Sequence, residues 1–136
     1  MRFEFFEHTA DAKFRAYGTT LEEAFGNAAL AMFSLMVDTE KVNPVLEKKI
    51  SVDGADEKAV LYNFLEELLF LVDSESFLLH SVKKLKIQGR ELTAIVVGDT
   101  GSDKYETHGD VKAVTYNEME IIKEEDKVSV QVVLDI

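Results

Sequence analysis

The feature of this sequence that most constrains its fold is a change of hydrophobic period along the chain. Two segments, residues 20–36 and Asp56–Val72, repeat apolar residues at helical spacing, and the first opens with a Thr-Leu-Glu-Glu capping box. The other apolar segments alternate with polar residues or are short and bounded by turn residues, which is typical of strands. Strands are predicted at Phe3–Phe6, Ala12–Tyr17, Glu47–Val52, Ser81–Gln88, Glu91–Val97, Val111–Tyr116, Met119–Lys123 and Val128–Leu134.

Short turns join most of these strands, so the pattern predicts an α+β fold with two helices packed on a largely antiparallel β-sheet. The 136 residues contain one proline, Pro44, and no linker or repeat, which predicts a single compact domain over residues 1–136. The segment Gly98–Asp110 carries three glycines, and we expect a mobile loop there.

The charge balance of the chain indicates which kinds of partner it can bind. Fifteen basic residues stand against 26 acidic ones, and the net charge is −11. A protein that grips nucleic acid needs clustered Lys and Arg, whereas the densest basic stretch here, Lys83-Lys84-Leu85-Lys86, is interpreted as the solvated side of a strand. The sequence therefore predicts no direct nucleic-acid binding. It favours cation binding or docking on a basic partner, with plain solubility as the alternative.

Composition and motifs exclude several other classes. Without cysteine, neither disulfides nor thiolate chemistry is available. The start, Met1-Arg2-Phe3-Glu4, has no apolar signal segment, and the longest apolar run is Leu68–Val72, so a soluble cytoplasmic protein without membrane contact is expected. No phosphate-binding loop, zinc-protease motif or nucleophile elbow is present, and we predict no catalytic residues.

Carboxylates at two strand ends form the remaining chemical pattern. Asp11 lies on the polar face of its strand, and Asp135 shares a face with Ser129, Gln131 and Val133. The sequence ends at Ile136, so a free α-carboxylate is expected within reach of Asp135. If the two strands are neighbours, these oxygens would prefer Ca²⁺, Mg²⁺ or Mn²⁺ over zinc or copper. The alternative is a pair of solvated aspartates at unrelated strand ends.

Five stretches of the sequence together resemble one family. His8-Thr9-Ala10-Asp11 is similar to the N-terminal signature of the archease family, and Leu134-Asp135-Ile136 resembles its C-terminal ending. Between them, Gly18–Phe25, Tyr62–Leu69 and Val111–Tyr116 resemble its first helix, second helix and most distinctive strand. The matches occur in order and extend from residue 8 to residue 136.

The resemblance implies a function. It implies a divalent metal, Ca²⁺ in the first place and Mg²⁺ or Mn²⁺ as alternatives, held by Asp11, Asp135 and Ile136. It also implies a partner, the GTP-dependent tRNA-splicing RNA ligase, whose guanylylation and repeated turnover archeases promote. His8 and Lys112 match motif positions and are further functional candidates; their alternatives are an exposed loop histidine and an exposed sheet lysine.

Two departures from the family pattern concern the shape of the site. Ala12-Lys13 stands where the family has an aliphatic residue and glycine, and Asn117 stands where histidine is frequent. Two other functions remain open from the sequence. One is a general chaperone or RNA-processing adaptor with several partners. The other is a metal-dependent hydrolase built on Asp11, Asp135 and His8, which would have only His8 as a general base.

Overall fold

In this computed structural model, two helices pack against two antiparallel sheets. The structure describes residues 1–8 and 10–136, apart from the side chain of Ser102. The predicted α+β fold is confirmed. The elements are β1 (Phe3–Phe6), β2 (Asp11–Gly18), α1 (Leu21–Ser34), β3 (Leu46–Asp53), α2 (Glu57–Glu75), β4 (Leu78–Gln88), β5 (Glu91–Asp99), β6 (Ala113–Lys123) and β7 (Val128–Asp135), with 3₁₀ turns at Thr39–Lys41 and Ser102–Lys104.

The strands divide between two sheets, where the sequence had suggested one. Within the described residues, a four-stranded sheet has the order β1-β2-β7-β6 and a three-stranded sheet the order β3-β5-β4, and every pairing is antiparallel. Helix α1 contacts β2 and β7 of the first sheet and β4 of the second, while α2 contacts β6 and β3. Both helices therefore join the two sheets into one core.

Side-chain caps fix the helix starts that the sequence predicted. The Thr20 hydroxyl accepts from the Glu23 amide at 3.1 Å, and the Glu23 carboxylate accepts from the Thr19 amide at 2.8 Å. The Asp56 carboxylate caps α2 through the Ala59 amide at 2.8 Å. Helix α2 runs one polar turn beyond the predicted end at Val72 and stops at Ser76, whose φ is 55°.

The core is formed by the inner faces of both sheets and the facing sides of both helices. Five phenylalanines are fully enclosed, namely Phe14, Phe25, Phe33, Phe64 and Phe77. Each such side chain contributes roughly 1.5–3 kcal/mol when it leaves water. Three of them, Phe25, Phe33 and Phe64, lie on the helices, so these aromatic residues of the helices pack the core.

One predicted strand pair is a single, bent strand. The predicted strand Val111–Tyr116, from Ala113 onward, and the predicted strand Met119–Lys123 form one strand, β6, whose pairing with β7 shifts between Thr115 and Glu120. Across this shift β6 advances five residues while β7 advances two, and Glu118 has a φ of 53°. The extra residues of β6 form a large bulge outside the hydrogen-bond ladder, and the sequence pattern therefore predicts two strands with a break between them.

The segment Gly98–Asp110, predicted as a loop, is tied to the fold at several points. Strand β5 extends to Asp99, whose buried carboxylate accepts from the Tyr105 hydroxyl at 2.7 Å and the Thr100 amide at 2.8 Å. Gly98 is required by close packing, since a Cβ there would lie 1.9 Å from the Leu78 carbonyl oxygen. In the part of the chain that is described, no helix is long and apolar enough to cross a membrane.

Candidate metal centre

The first and last long strands bring the two predicted aspartates together. In the antiparallel pairing of β2 with β7, Asp11 lies directly opposite Asp135. Directly opposed residues project from the same face with Cβ atoms about 4.5–5.5 Å apart. This is the outer face, because the alternate residues Ala12, Phe14 and Ala16 are buried in the core.

The remaining edge of the site comes from the segment that leads into β6. Ala113 pairs with Asp135 on the other side of β7, and the Lys112 amide donates to the Asp135 carbonyl at 2.7 Å. Lys112 thus precedes β6, its backbone is tied to the end of β7, and its side chain is exposed. The Asp11 side chain and Ile136 are 33% and 44% exposed, so the carboxylate end of the sheet is open to a ligand or a partner.

The donor chemistry of this end suits a hard cation. Two carboxylates held on one sheet face repel each other unless a cation lies between them. Across the described residues, no three His, Asp or Glu side chains converge on one metal position. A divalent cation held by Asp11 and Asp135 would therefore need additional oxygen donors, since hard cations take about six or more oxygen ligands.

His8 supplies an unsatisfied polar atom at this place. Its Nε2 lies 2.9 Å from the Glu118 carboxylate, and its Nδ1 lies 3.5 Å from the Asp11 carboxylate. Nδ1 is enclosed and has no hydrogen-bond partner among the described groups. When Nε2 donates to Glu118, Nδ1 carries a lone pair that faces Asp11, which is the tautomer a cation-binding histidine uses. The site residues therefore fit a bound divalent cation.

The backbone before Asp11 is unusual. Ala10 has a φ of 65°, a conformation that alanine rarely adopts. Thr9, the other residue of the predicted N-terminal motif, lies outside the described residues. The left-handed turn at Ala10 lets His8 and Asp11, three residues apart, lie within 3.5 Å of each other. Local strain of this kind is common where side chains are held for binding.

Glu118, which the sequence analysis did not nominate, organises the site. Its carboxylate accepts from His8 and, at 3.1 Å, from the Lys13 ammonium group. The His8 hydrogen bond, followed by Lys13, lowers the pKa of Glu118 below its ordinary value. Glu118 lies 110 residues from His8 in the chain, and only the bulge of β6 brings it there. The sequence signal was limited to the break between two predicted strands.

The bulge of β6 also covers the outer face of β7, which the sequence pattern predicts to be polar. Gln131 and Val133 are only 5% and 1% exposed, although both share the outer face with Asp135. The Gln131 amide donates to the Glu118 carbonyl at 2.7 Å and its oxygen accepts from Arg15 at 2.9 Å. This network fixes the bulge against β7, since its buried polar groups find their partners in one another.

The two departures from the family pattern lie around this network. Lys13 occupies the outward position next to Asp11 on β2, where its charge is matched by Glu118. Asn117 is exposed in the bulge, and its amide donates to the Thr115 hydroxyl at 3.2 Å. Neither residue displaces Asp11 or Asp135 from their pairing.

Comparison with known proteins agrees with this architecture. Residues 3–136 match the model of the archease protein family. The chain is 44% identical to the archease of Methanothermobacter thermautotrophicus, covering 98% of both chains, and 39% identical to that of Methanosarcina mazei, covering 99% of this chain and 96% of the relative.

Two solved structures share the fold. The solution structure of Methanobacterium thermoautotrophicum protein 1598 is 42% identical, covers 99% of both chains and superimposes with a TM-score of 0.85. An archease from Thermotoga maritima, described as a possible chaperone, is 19% identical, covers 96% of this chain and 94% of its own, and superimposes with a TM-score of 0.67. By sequence and by fold, this chain belongs to the archease family.

Proposed function

We propose that this protein is an accessory protein of the GTP-dependent tRNA-splicing RNA ligase and is not an enzyme itself. In this role it promotes guanylylation of the ligase in the cytoplasm and allows it repeated turnover. Family membership supports the class of function. The observation that carries the proposal is the pairing of Asp11 with Asp135 at an exposed sheet end, beside the unpartnered Nδ1 of His8.

The proposed metal site consists of Asp11, Asp135 and the carboxylate of Ile136. All three offer oxygen donors, which favours Ca²⁺, with Mg²⁺ or Mn²⁺ as alternatives. The bound cation would supply positive charge that cancels the repulsion between these carboxylates. His8 is held ready by Glu118, and Lys112 fixes the end of β7 through its backbone hydrogen bond to Asp135.

The negative charge of the protein and its ordered site explain how it would dock on the ligase. A ligase that holds RNA is basic at its RNA-binding surface, and a chain of net charge −11 is drawn to such a surface. The rigid hydrogen-bond network behind Asp11 keeps the acidic end in one shape, so little order is lost when the partner binds. Glu118 pairs with the Lys13 ammonium group and holds His8 by a hydrogen bond, so Asp11 and Asp135 remain available as negative groups at this end of the sheet.

A multiple-turnover ligation assay tests the proposal. Wild-type protein is expected to increase the number of ligation cycles, and Asp11→Asn and Asp135→Asn should each lower this stimulation by roughly tenfold, because metal-site changes commonly cost at least that much. Asp73→Asn is the matched control, since it removes the same charge from an exposed position on α2.

Three outcomes would contradict parts of the proposal. Ligation that is the same with and without wild-type protein would remove the accessory function. Full stimulation by both site variants would restrict the metal to a structural role. Turnover of phosphoesters by the isolated protein with Mn²⁺ or Mg²⁺ would make it a hydrolase instead.

A further inference from the structure

The outer face of the three-stranded sheet gathers lysines from separate parts of the chain. In its register, Lys49 of β3 and Lys84 of β4 both pair with Ile95 of the central strand β5. One row further along, Ser51 and Lys86 both pair with Thr93. We call these six residues, Lys49, Ser51, Lys84, Lys86, Thr93 and Ile95, the lysine face.

The lysine face is a shallow groove open to solvent. Its volume is about 310 Å³, and the six residues of the face line it together with the inward neighbours Ile50 and Ala94. Two strand gaps separate Lys49 from Lys84, which corresponds to roughly 10 Å. Ile95 forms the floor between them, while the lysine side chains form the rim. The geometry is that of a short track and not of a closed pocket.

The three lysines on this track are not engaged in ion pairs. Among the described residues, Lys49, Lys84 and Lys86 make no ion pair, although their chain neighbours Lys48 and Lys83 pair with Glu75 and Glu47. The carboxylates of Asp53 and Glu91 face each other at the end of the sheet, beyond the Ser51 and Thr93 row. Three free ammonium groups in one small area are unexpected in a chain whose net charge is −11.

The residue types on this face favour phosphate over carboxylate. Lysine acts as a point charge that suits phosphate oxygens, whereas planar carboxylates are best held by the two-pronged guanidinium of arginine, and the face contains no arginine. The hydroxyls of Ser51 and Thr93 share a row of the sheet with Lys86, next to the row of Lys49 and Lys84, and are donors of the kind that contact phosphate and sugar. An apolar floor at Ile95 suits a sugar.

A single strand fits better than a duplex. Duplex DNA carries a negative charge about every 1.7 Å, so a double helix would bring dense negative charge against an acidic protein. A single strand brings fewer phosphates to the same small area. The face lacks aromatic residues for base stacking, so the contact would be independent of base sequence.

We propose that the lysine face binds the phosphodiester backbone of a single-stranded nucleic acid. The inference is independent of the proposed accessory function, because the face belongs to the other sheet and shares no residue with Asp11, Asp135 or Ile136. It also differs from the expectation drawn from net charge. That expectation averages over the whole surface, whereas backbone binding depends on local charge.

Fluorescence anisotropy with a short labelled single-stranded RNA tests the proposal on the full chain without any ligase. Three phosphate contacts predict a slope of log affinity against log salt of about −2, and each of Lys49→Gln, Lys84→Gln and Lys86→Gln should reduce its magnitude by about 0.7. The triple variant should lose measurable binding. Lys58→Gln is the charge-matched control on α2 and should leave the slope unchanged.

Three results would overturn this inference. The first is no binding by wild-type protein at about 50 mM salt, where such contacts are strong. The second is equal binding by the triple variant and the wild type with identical thermal unfolding curves. The third is displacement of the RNA by a polyglutamate peptide of equal charge at equal concentration, which would show a surface for acidic proteins instead.

Discussion

The outer faces of the two sheets differ in how their polar groups are held. On the four-stranded sheet, the bulge of β6 covers the face, and Glu118 links His8, Lys13 and Gln131 in one continuous hydrogen-bond network. On the three-stranded sheet, the lysine face is open, and Lys49, Lys84 and Lys86 make no ion pair with described residues.

The difference between the faces suits the two kinds of site proposed above. A fixed network holds oxygen donors in a defined geometry, which a small cation requires because its ligands must converge. Exposed lysines with long side chains around a shallow groove tolerate many positions of a ligand, which suits a flexible polyanion whose charges are spread out. The following changes test this contrast, from the largest expected effect to the smallest.

Removing Asp11 should remove the stabilisation that we expect from Ca²⁺ at the proposed metal site. At a Ca²⁺ concentration about 100 times its Kd, binding to the folded state raises the free energy of unfolding by about 2.7 kcal/mol. Asp11→Asn should abolish this increase, because one of the two opposed carboxylates is lost. Thermal unfolding with and without Ca²⁺ measures it. The triple lysine variant should keep the full increase in the free energy of unfolding. A smaller increase in that variant would show that the lysine face and the proposed metal site are energetically coupled.

Breaking the covered network should destabilise the fold more than an equivalent change on the open face. Gln131→Leu leaves the Glu118 carbonyl without its donor and Arg15 without its acceptor, which costs about 1–3 kcal/mol. Thr93→Val keeps the side-chain shape on the lysine face and should change stability by no more than about 0.5 kcal/mol. Urea unfolding compares them. Equal losses in both variants would contradict the distinction between the two faces.

Glu118 should influence metal affinity without being a ligand. Glu118→Gln weakens the hold on His8 and exposes the uncompensated charge of Lys13, so Ca²⁺ affinity should fall about tenfold, as for other outer hydrogen-bond partners. Isothermal titration measures the change. Glu120→Gln is the control, since Glu120 is exposed on the same strand. An unchanged Ca²⁺ affinity in Glu118→Gln would show that Glu118 stabilises the bulge of β6 but does not support metal binding.

Lowering the pH should reduce the free energy of unfolding through one carboxylate in each sheet, Glu118 in one and Asp99 in the other. The pKa of Glu118 is lowered by His8 and Lys13, and that of Asp99 by the Tyr105 hydroxyl and then the Thr100 amide. A lowered pKa in the folded state adds stability that is complete above the unfolded pKa and is lost as the pH falls through the folded pKa. Unfolding measured below about pH 4 should therefore be less pH-dependent in Glu118→Gln and in Asp99→Asn. A slope identical to the wild type in both variants would contradict these assignments.

Much of the fold was predictable because it depends on local signals. Both helix starts follow from caps that a few neighbouring residues supply, at Thr20 and Asp56. The β4–β5 hairpin follows from the turn at Gly89, and the inner faces follow from alternation along each strand. The division into two sheets was not predictable, since strand order depends on contacts between distant segments.

The candidate sites show the same limit. Alternation placed Asp11 and Asp135 on polar strand faces, but only the β2–β7 register makes them neighbours. Glu118 could not be nominated, because a bulge in β6 aims it at a histidine 110 residues away. The lysine stretch at Lys83-Lys84-Leu85-Lys86 was interpreted as an ordinary solvated strand, and Lys49 joins it only through pairing across β5.

By itself, the sequence determined the helices, most strands, the acidic balance and the family, because these depend on residues close together or on composition. The tertiary structure decided which charges meet. The pairing of β7 between β2 and β6 brought carboxylates together at one sheet end, and the pairing of β5 between β3 and β4 brought lysines together on another face. The physical reason is that electrostatic chemistry depends on distance in space, and strand register sets that distance.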